Sequence, residues 1–432
     1  MTTDQLIAAI EAIIAQYRAE LASPPLQFQV VGPTEDLQAA LSAATGPIHL
    51  VAGATYSGVT LPTGTRLVGN GAAIVGVGKR ALYVAPGSSD IQVSGVICTS
   101  NMDSVVQLGD NSAKTQGMVA QVPSGIVLTE VVVPTHRGKR AFEVHAKNVE
   151  LIDCQALDVY YPGTLGAGVD SQGLWVFNTP GNITVRGGRY QAGSECFLTA
   201  GDDIKLTDCP TISNLLFEGV LFDRPAAWRG DTSVYRQVKN VFELKNACDV
   251  VVRRCTFREC WKEGQDGYAL MLTPTRGGRV CNVLFEGCTV ENVGAWMNVT
   301  GVDSHGICTV NTTGIKWVGG TVTTNRAVYG GAGRTILMTG GPRTLDIENA
   351  RIVHDGTSFV YASGGMVARI RVVGSTFNAA AHGLNIAGGP NLSKWAAGCL
   401  DVDVRGNTIS GASPTLKANL AAIGKTPANT YV

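Results

Sequence analysis

The sequence predicts an all-β chain wound as one parallel solenoid of about twelve coils. Three observations predict it. A nine-residue phrase recurs eleven times. Glycine supplies 53 of 432 residues, with neither a collagen period nor a low-complexity tract to account for them. No helical pattern follows the phrase, which argues against a leucine-rich horseshoe, and the units fall short of a propeller blade of roughly 40 residues.

The phrase runs turn residue, apolar, any, apolar, any, often Gly, small, any, apolar. It reads DIQVSGVIC from Asp90, GIVLTEVVV from Gly125, NVELIDCQA from Asn148, NITVRGGRY from Asn182 and NLLFEGVLF from Asn214. It continues as DVVVRRCTF from Asp249, NVLFEGCTV from Asn282, GIKWVGGTV from Gly314, TLDIENARI from Thr344, RIRVVGSTF from Arg369 and DVDVRGNTI from Asp401. Alternation of period two puts the second and fourth places inward. Gly fills the sixth place in seven copies (Gly95, Gly187, Gly219, Gly287, Gly319, Gly374 and Gly406), as a bend with positive φ requires. Small residues at the seventh place, Cys154, Cys255 and Cys288 among them, then form an interior column.

With these repeats the chain resembles the right-handed parallel β-helix proteins, the pectate-lyase-like repeat family, from about Leu61 to its end. The opening VGPTEDLQAALSAATGPIHLVAGATYSG is similar to the usual entry of that fold, a capping helix and a first strand. Thr34 is the expected N-cap, with acids in the first turn and Leu37, Ala40 and Leu41 on one face. Upstream, a helix over residues 3–21 ends at Pro24-Pro25 and carries a broad stripe of Leu6, Ile7, Ile10, Ile13, Ile14, Tyr17 and Leu21. The expected organisation is an N-terminal anchor or oligomerisation helix at 1–25, a capping helix with the first coil at 26–86, and the β-helix proper at 87–432.

Composition bounds the chemistry. Thirty-four basic and 34 acidic side chains cancel, which excludes general binding to nucleic acid or anionic membranes. No apolar run reaches the roughly 18 residues of a membrane span, and the N-terminus lacks the basic leader of a secretion signal. Eleven cysteines without metal-ligand spacing imply reduced, buried thiols in a protein folded in a cytoplasm. No metal or other cofactor is expected. The NxT matches at Asn298 and Asn311 have no role without secretion.

Chemistry is expected in the loops that leave one corner of successive coils: 160–173, 191–195, 224–237, 261–267 and 294–306. They carry Tyr160, Tyr161, Trp228, Tyr235, Trp261 and Trp296, with Trp175 just beyond, beside Asp170, Glu195, Asp231, Glu263, Asp266, Asp303 and His305. Exposed rings beside carboxylates suit sugars, whose apolar faces stack while their hydroxyls hydrogen-bond. The aromatics Trp228, Trp261, Trp296, Tyr160, Tyr161 and Tyr235 are therefore the candidate glycan-binding set. Glu195, Asp231, Glu263 and Asp266 are the candidate acid/base carboxylates, since coils roughly 4.8 Å apart can match the roughly 5–9.5 Å separations of glycosidase pairs. Asp202-Asp203 and His305-Gly306 are similar to the paired-Asp and His-Gly motifs of polygalacturonases, but about three coils separate them.

Three functions follow from this pattern. One is a bacteriophage virion spike or fibre: a homotrimer held to other virion proteins through residues 1–22, folded in the host cytoplasm and touching host-surface polysaccharide. The second is a polysaccharide-degrading glycosidase or lyase. The third is a head or tail decoration protein whose loops meet only protein.

Overall fold

A computed structural model describes residues 5–8, 10, 11, 28–110, 119–164, 168–201, 209–303, 312–379, 384–386, 399–422 and 425–432. Its strands pair in parallel into three faces that wind as a right-handed parallel β-helix, the hand that parallel crossovers favour. Representative strands of the first face are Lys147–Ile152, Gly181–Arg186, Ile212–Glu218, Ala247–Arg253 and Val280–Glu286. The second face holds Gln155–Val159, Arg189–Ala192, Leu221–Asp223 and Thr256–Cys260. The third holds Gln172–Val176, Glu195–Thr199, Asn240–Leu244 and Tyr268–Leu272. Arg66–Gly76 and Ser89–Ser100 run round the first corner, so faces one and two form a single sheet, 26-stranded among the described residues. Among the described residues face three is a ladder of twelve strands, in line with the expected coil number.

The phrase specifies this winding through backbone conformation. The sixth place has positive φ in all eleven copies. The seven glycines span 61–65°, and Glu130, Asp153, Arg254 and Asn349 adopt 51–55° in the other four. Asp90, Gly125, Asn148, Asn182, Asn214, Asp249, Asn282 and Gly314 give the first place the same hand, which Gly, Asn and Asp tolerate best. In these eight copies two left-handed residues therefore bracket the core of the first-face strand, and the one at the sixth place turns the chain onto the next face. At the first place the side chains also bond along the axis, as Asn182 to Asn148 and Asn282 to Asp249 do at 2.5 and 2.9 Å.

Inside, Val250, Val252, Val283, Phe285, Ile315 and Trp317 point into the core, as expected. Rings climb from coil to coil: Phe222 stacks on Phe257 at 5.5 Å, and Phe285 on Trp317 at 5.4 Å. Cys154, Cys255 and Cys288 are buried and free. The expectation that every thiol is reduced fails at Cys248 and Cys281, which form a disulfide. Both precede their phrase by one residue, so the register sets them opposite each other on adjacent coils with Cα atoms 4.5 Å apart.

The capping helix, Leu37–Ala43, starts two residues later than expected. Asp36, not Thr34, is its N-cap, accepting from the amides of Gln38 and Ala39 at 2.9 and 3.2 Å. No acid lies in its first turn. Leu37 and Leu41 are buried over the shaft, while the Gln38 side chain bonds both the amide and the carbonyl of Thr60 at the strand edge. Of the expected N-terminal helix, Gln5–Ala8, Ile10 and Glu11 are helical, with Leu6, Ile7 and Ile10 exposed; the rest lies outside the described residues. Among the described residues no helix is long and apolar enough to cross a membrane.

Two predictions test this account of the winding. A Cβ on Gly219 meets nothing within 4 Å, whereas one on Gly320 lies 2.1 Å from the Cys288 carbonyl oxygen. Gly219→Ala should therefore cost only the left-handed penalty, about 1–2 kcal/mol in chemical denaturation. Gly320→Ala should cost distinctly more, and equal losses would contradict the geometry. Val283→Asp buries an unpaired carboxylate at several kcal/mol and should yield insoluble or protease-sensitive protein.

Candidate functional site

The corner between faces two and three gathers most of the expected residues. Loop 224–238 folds over it, and one arginine nails the corner down. Arg224 is 1% exposed. Its guanidinium donates to five carbonyls: Ala192 and Gly193 at 2.9 Å, Ser194 and Asn240 at 2.6 Å, and Glu259 at 3.2 Å. A buried cation is tolerable only with this many acceptors. Gly193 lets the loop approach, since a Cβ there would lie 2.3 Å from the Arg236 carbonyl oxygen.

Over this base Tyr160, Trp228, Val238, Trp261 and Tyr329 pack as a separate apolar cluster. Tyr160 meets Trp228 edge-on at 5.7 Å, and the Arg236 guanidinium lies over both rings at 4.9 and 5.0 Å. Outside the cluster opens a cavity of about 610 Å³ lined by Gly163, Thr164, Trp228, residues 230–236, Trp261, Lys262 and Glu263. Five expected residues thus converge: Trp228, Asp231, Tyr235, Trp261 and Glu263. The indoles are not the exposed platforms the sequence suggested. At 8% and 7% exposure they form a wall that shows only an edge.

Two carboxylates in the cavity are held by donors. Asp231 accepts the Ser233 amide and hydroxyl at 2.9 and 2.5 Å and Arg236 at 2.8 Å, and these bonds hold its pKa down at about 2. Glu263 accepts Trp261 Nε1 at 3.1 Å and the Val238 amide at 3.4 Å. Asp266 pairs with Lys262 at 3.7 Å and borders a neighbouring cavity of about 360 Å³ instead.

Glu195 lies across the 236–239 segment from this cavity, at the start of a third-face strand, fully buried. One oxygen accepts Gln172 Nε2 at 2.8 Å, and the other stands 3.6 Å from Lys239 Nζ. Lys239 bridges to Asp170 at 2.5 Å, and Asp170 also accepts Gln237 Nε2 at 2.8 Å. Burial pushes the Glu195 pKa up to about 7. Lys239 opposes that shift, while Asp170 and Glu243 add to it. The four expected carboxylates therefore form no single acid/base site: Asp231 and Glu263 share a cavity, which neither Glu195 nor Asp266 lines.

Other expected residues fall elsewhere. Trp296 is fully buried, crossing Trp317 edge-on at 5.0 Å, and cannot meet a glycan. The sequence places it in a loop, but Ala295–Thr300 is a third-face strand that points this indole inward. Tyr161 is half-buried and lies outside the cavity lining. Asp303 accepts the amides of Arg276 and Gly277 at 3.0 and 2.7 Å, a turn-holding role. Asp202, Asp203 and His305 lie outside the described residues.

Sequence reasoning missed the polar ladder on the outer side of face three. There Glu143 bonds His145 Nε2 at 2.8 Å and the Ser104 hydroxyl, with Arg140 at 3.3 Å. Burial alone would raise its pKa, but these three partners hold it near 2. Arg140 lies 3.8 Å over the Trp175 ring. One hundred residues on, Glu243 repeats the arrangement with Asn240 and Lys245. The signal was present as the matching strings AFEVH and VFELK, each with an acid amid apolar residues and a base two places later.

No family model and no curated protein matches the chain. A mannuronic acid specific polysaccharide family 6 lyase from human gut microbiota is similar in structure, with TM-score 0.51 and 12% identity, over 94% of this chain and 90% of that one. The Dettilon tailspike protein gives 0.38 and 11%, over 94% and 68%. A tailspike of the Acinetobacter baumannii bacteriophage Fri1, a capsular polysaccharide depolymerase, gives 0.29 and 11%, over 94% and 61%. At such identities the likeness is one of fold. The chain is a parallel β-helix protein.

The Glu195 network makes a pH prediction. Its carboxyl titrates near 7 when folded and near 4.5 when unfolded, so the folded state binds the extra proton between these values. Stability from this group is full below about pH 4.5 and is lost as pH rises to about 7, on the order of 3 kcal/mol. The stability of the wild type relative to Glu195→Gln should fall by that amount over the window; His136 and His354, whose pKa values burial lowers, push the total profile the other way and cancel in this difference. A wild-type minus variant difference that stays flat or rises through the window would refute the assignment.

Proposed function

We propose that the chain is a glycan-binding β-helix protein of the spike or fibre type, carried on a bacteriophage particle and turning its loop-built corner towards host-surface sugars. One observation carries the reading: a cavity of about 610 Å³ in which Trp228, Trp261 and Tyr235 lie beside Asp231, Glu263, Arg236 and Lys262. Ring edges packed in place provide apolar contact without ordering cost, and the polar groups around them suit hydroxyls. Both cavity carboxylates are already occupied by donors, which favours binding over acid catalysis there. At the other end, exposed Leu6, Ile7 and Ile10 support attachment to the particle, or trimer formation, through residues 1–22.

The test separates binding from cleavage. Trp228→Ala should weaken binding to host glycan ten- to hundredfold, about 1–3 kcal/mol, while the shaft stays folded by circular dichroism and protease resistance. Trp261→Ala should act alike. Unchanged adsorption by both variants, if folded, would refute the reading in favour of a decoration protein. New reducing ends or unsaturated uronates in digests with the wild-type protein would make it an enzyme instead.

A further inference from the structure

Resting on that glycan-binding reading, we infer that the ligand is an oligosaccharide, and that a second subsite beside the corner cavity receives its next unit through hydroxyls. The smaller cavity, of about 360 Å³, adjoins the larger across the 261–267 loop, since Lys262 and Glu263 line both. Both volumes fall in the roughly 300–1,000 Å³ range of small-molecule sites. The partition between them is tied down at several points. Glu263 accepts from Trp261 Nε1 and the Val238 amide, and the Gly264 amide donates to the Val238 carbonyl at 2.9 Å. The Lys262 amide donates to the Tyr329 carbonyl at 2.8 Å. A chain laid across this wall meets a shape that is already ordered, which lowers the cost of binding.

The floor of the second cavity is the outer side of face three. Met271, Asn298 and Leu337 stand in register on three successive coils, so an amide lies between two apolar side chains. Tyr268 lines the same space and is only 2% exposed. Among the described residues its hydroxyl has no hydrogen-bond partner, and neither has Asn298 Oδ1, although both atoms are buried. Burial pushes the Tyr268 pKa up, so the phenol stays a neutral donor at ordinary pH. Buried polar atoms are costly unless something bonds to them. These two want opposite partners, because the phenol can donate while the amide oxygen can only accept. A sugar hydroxyl both accepts and donates, and the apolar ring face beside it fits against Met271 and Leu337.

The experiment is calorimetry on the full-length protein with monosaccharide to trisaccharide series from a glucan, a mannan and a mannuronan. In any series that binds, affinity should rise about tenfold or more between the monosaccharide and the trisaccharide. Tyr268→Phe removes only the unbonded oxygen, and Asn298→Leu removes the amide at similar size. Each should weaken trisaccharide binding about three- to tenfold, as the loss of one hydrogen bond does. Tyr268→Phe should not lower the melting temperature of the free protein, because its hydroxyl bonds nothing there. A marked drop would mean that the hydroxyl is spent within the fold, and would overturn the inference. So would a trisaccharide bound no tighter than its monosaccharide, or trisaccharide affinity that depends on Trp228 but is indifferent to Tyr268→Phe. In those cases the second cavity holds water only and the glycan-binding reading stands. Binding by no member of any series overturns both.

Discussion

Parallel coils stack only if each one turns its corner in the same place, and here the turn depends on a single left-handed residue. The sixth place of every phrase holds it, whether filled by Gly or by Glu130, Asp153, Arg254 or Asn349. Each such residue without Gly carries a steric cost of about 1–2 kcal/mol, which the surrounding register has to outweigh. Because that corner repeats, the place after it meets the same backbone in every coil. A Cβ on Gly188 or Gly320 would lie 2.1 Å from the carbonyl oxygen of Cys154 or Cys288, one coil below. The same repetition sets Cys248 against Cys281.

A shaft built this way leaves variation to the other corners, where loops of different length leave strands of fixed register. Loop 224–238 has little shaft of its own to rest on. It is held instead by polar groups drawn inward: Arg224 on five carbonyls, and Asp170 bound to Gln237 and Lys239. Such groups stabilise a single loop geometry because any other would leave a buried charge without partners. The aromatic cluster then fills the space that the polar ties define, which explains why its indoles are nearly buried and yet border a cavity.

How far this was legible follows from periodicity. Inward places two and four and the left-handed place six could be read directly, since alternation and Gly or Asn are local signals. The location of the corner cavity was legible too, because Trp228, Asp231 and Glu263 fall in loops that recur at one point of the coil. Trp296 departs from the expected loop because AWMNVT alternates only weakly and follows a glycine, a local pattern that hides the strand. The indoles' burial and the Glu143 and Glu243 ladder depend on contacts between coils some thirty residues apart. The strings AFEVH and VFELK mark the two acids, but not the partners that stacking brings to them. The Cys248–Cys281 pair belongs here as well, since only the stacking register shows that the two meet.

The carboxylates show why a shared fold does not carry a shared site. Glu143, Glu195 and Asp231 have the same chemistry, yet two are held near 2 and the third stands near 7. Asp231 has a hydroxyl, an amide and a guanidinium on its oxygens, and Glu143 has His145, Arg140 and Ser104. Glu195 has one amide bond from Gln172 and a lysine that Asp170 holds more closely, at 2.5 against 3.6 Å. Its pKa is raised chiefly by burial, and the cation that would offset this is shared with a neighbour. A polysaccharide lyase can share this winding over nearly its whole length and still share none of these pairings, because each depends on one or two side chains rather than on the coil. In such a protein the chemistry depends on which acceptor wins each cation. That is settled residue by residue on a scaffold indifferent to the outcome.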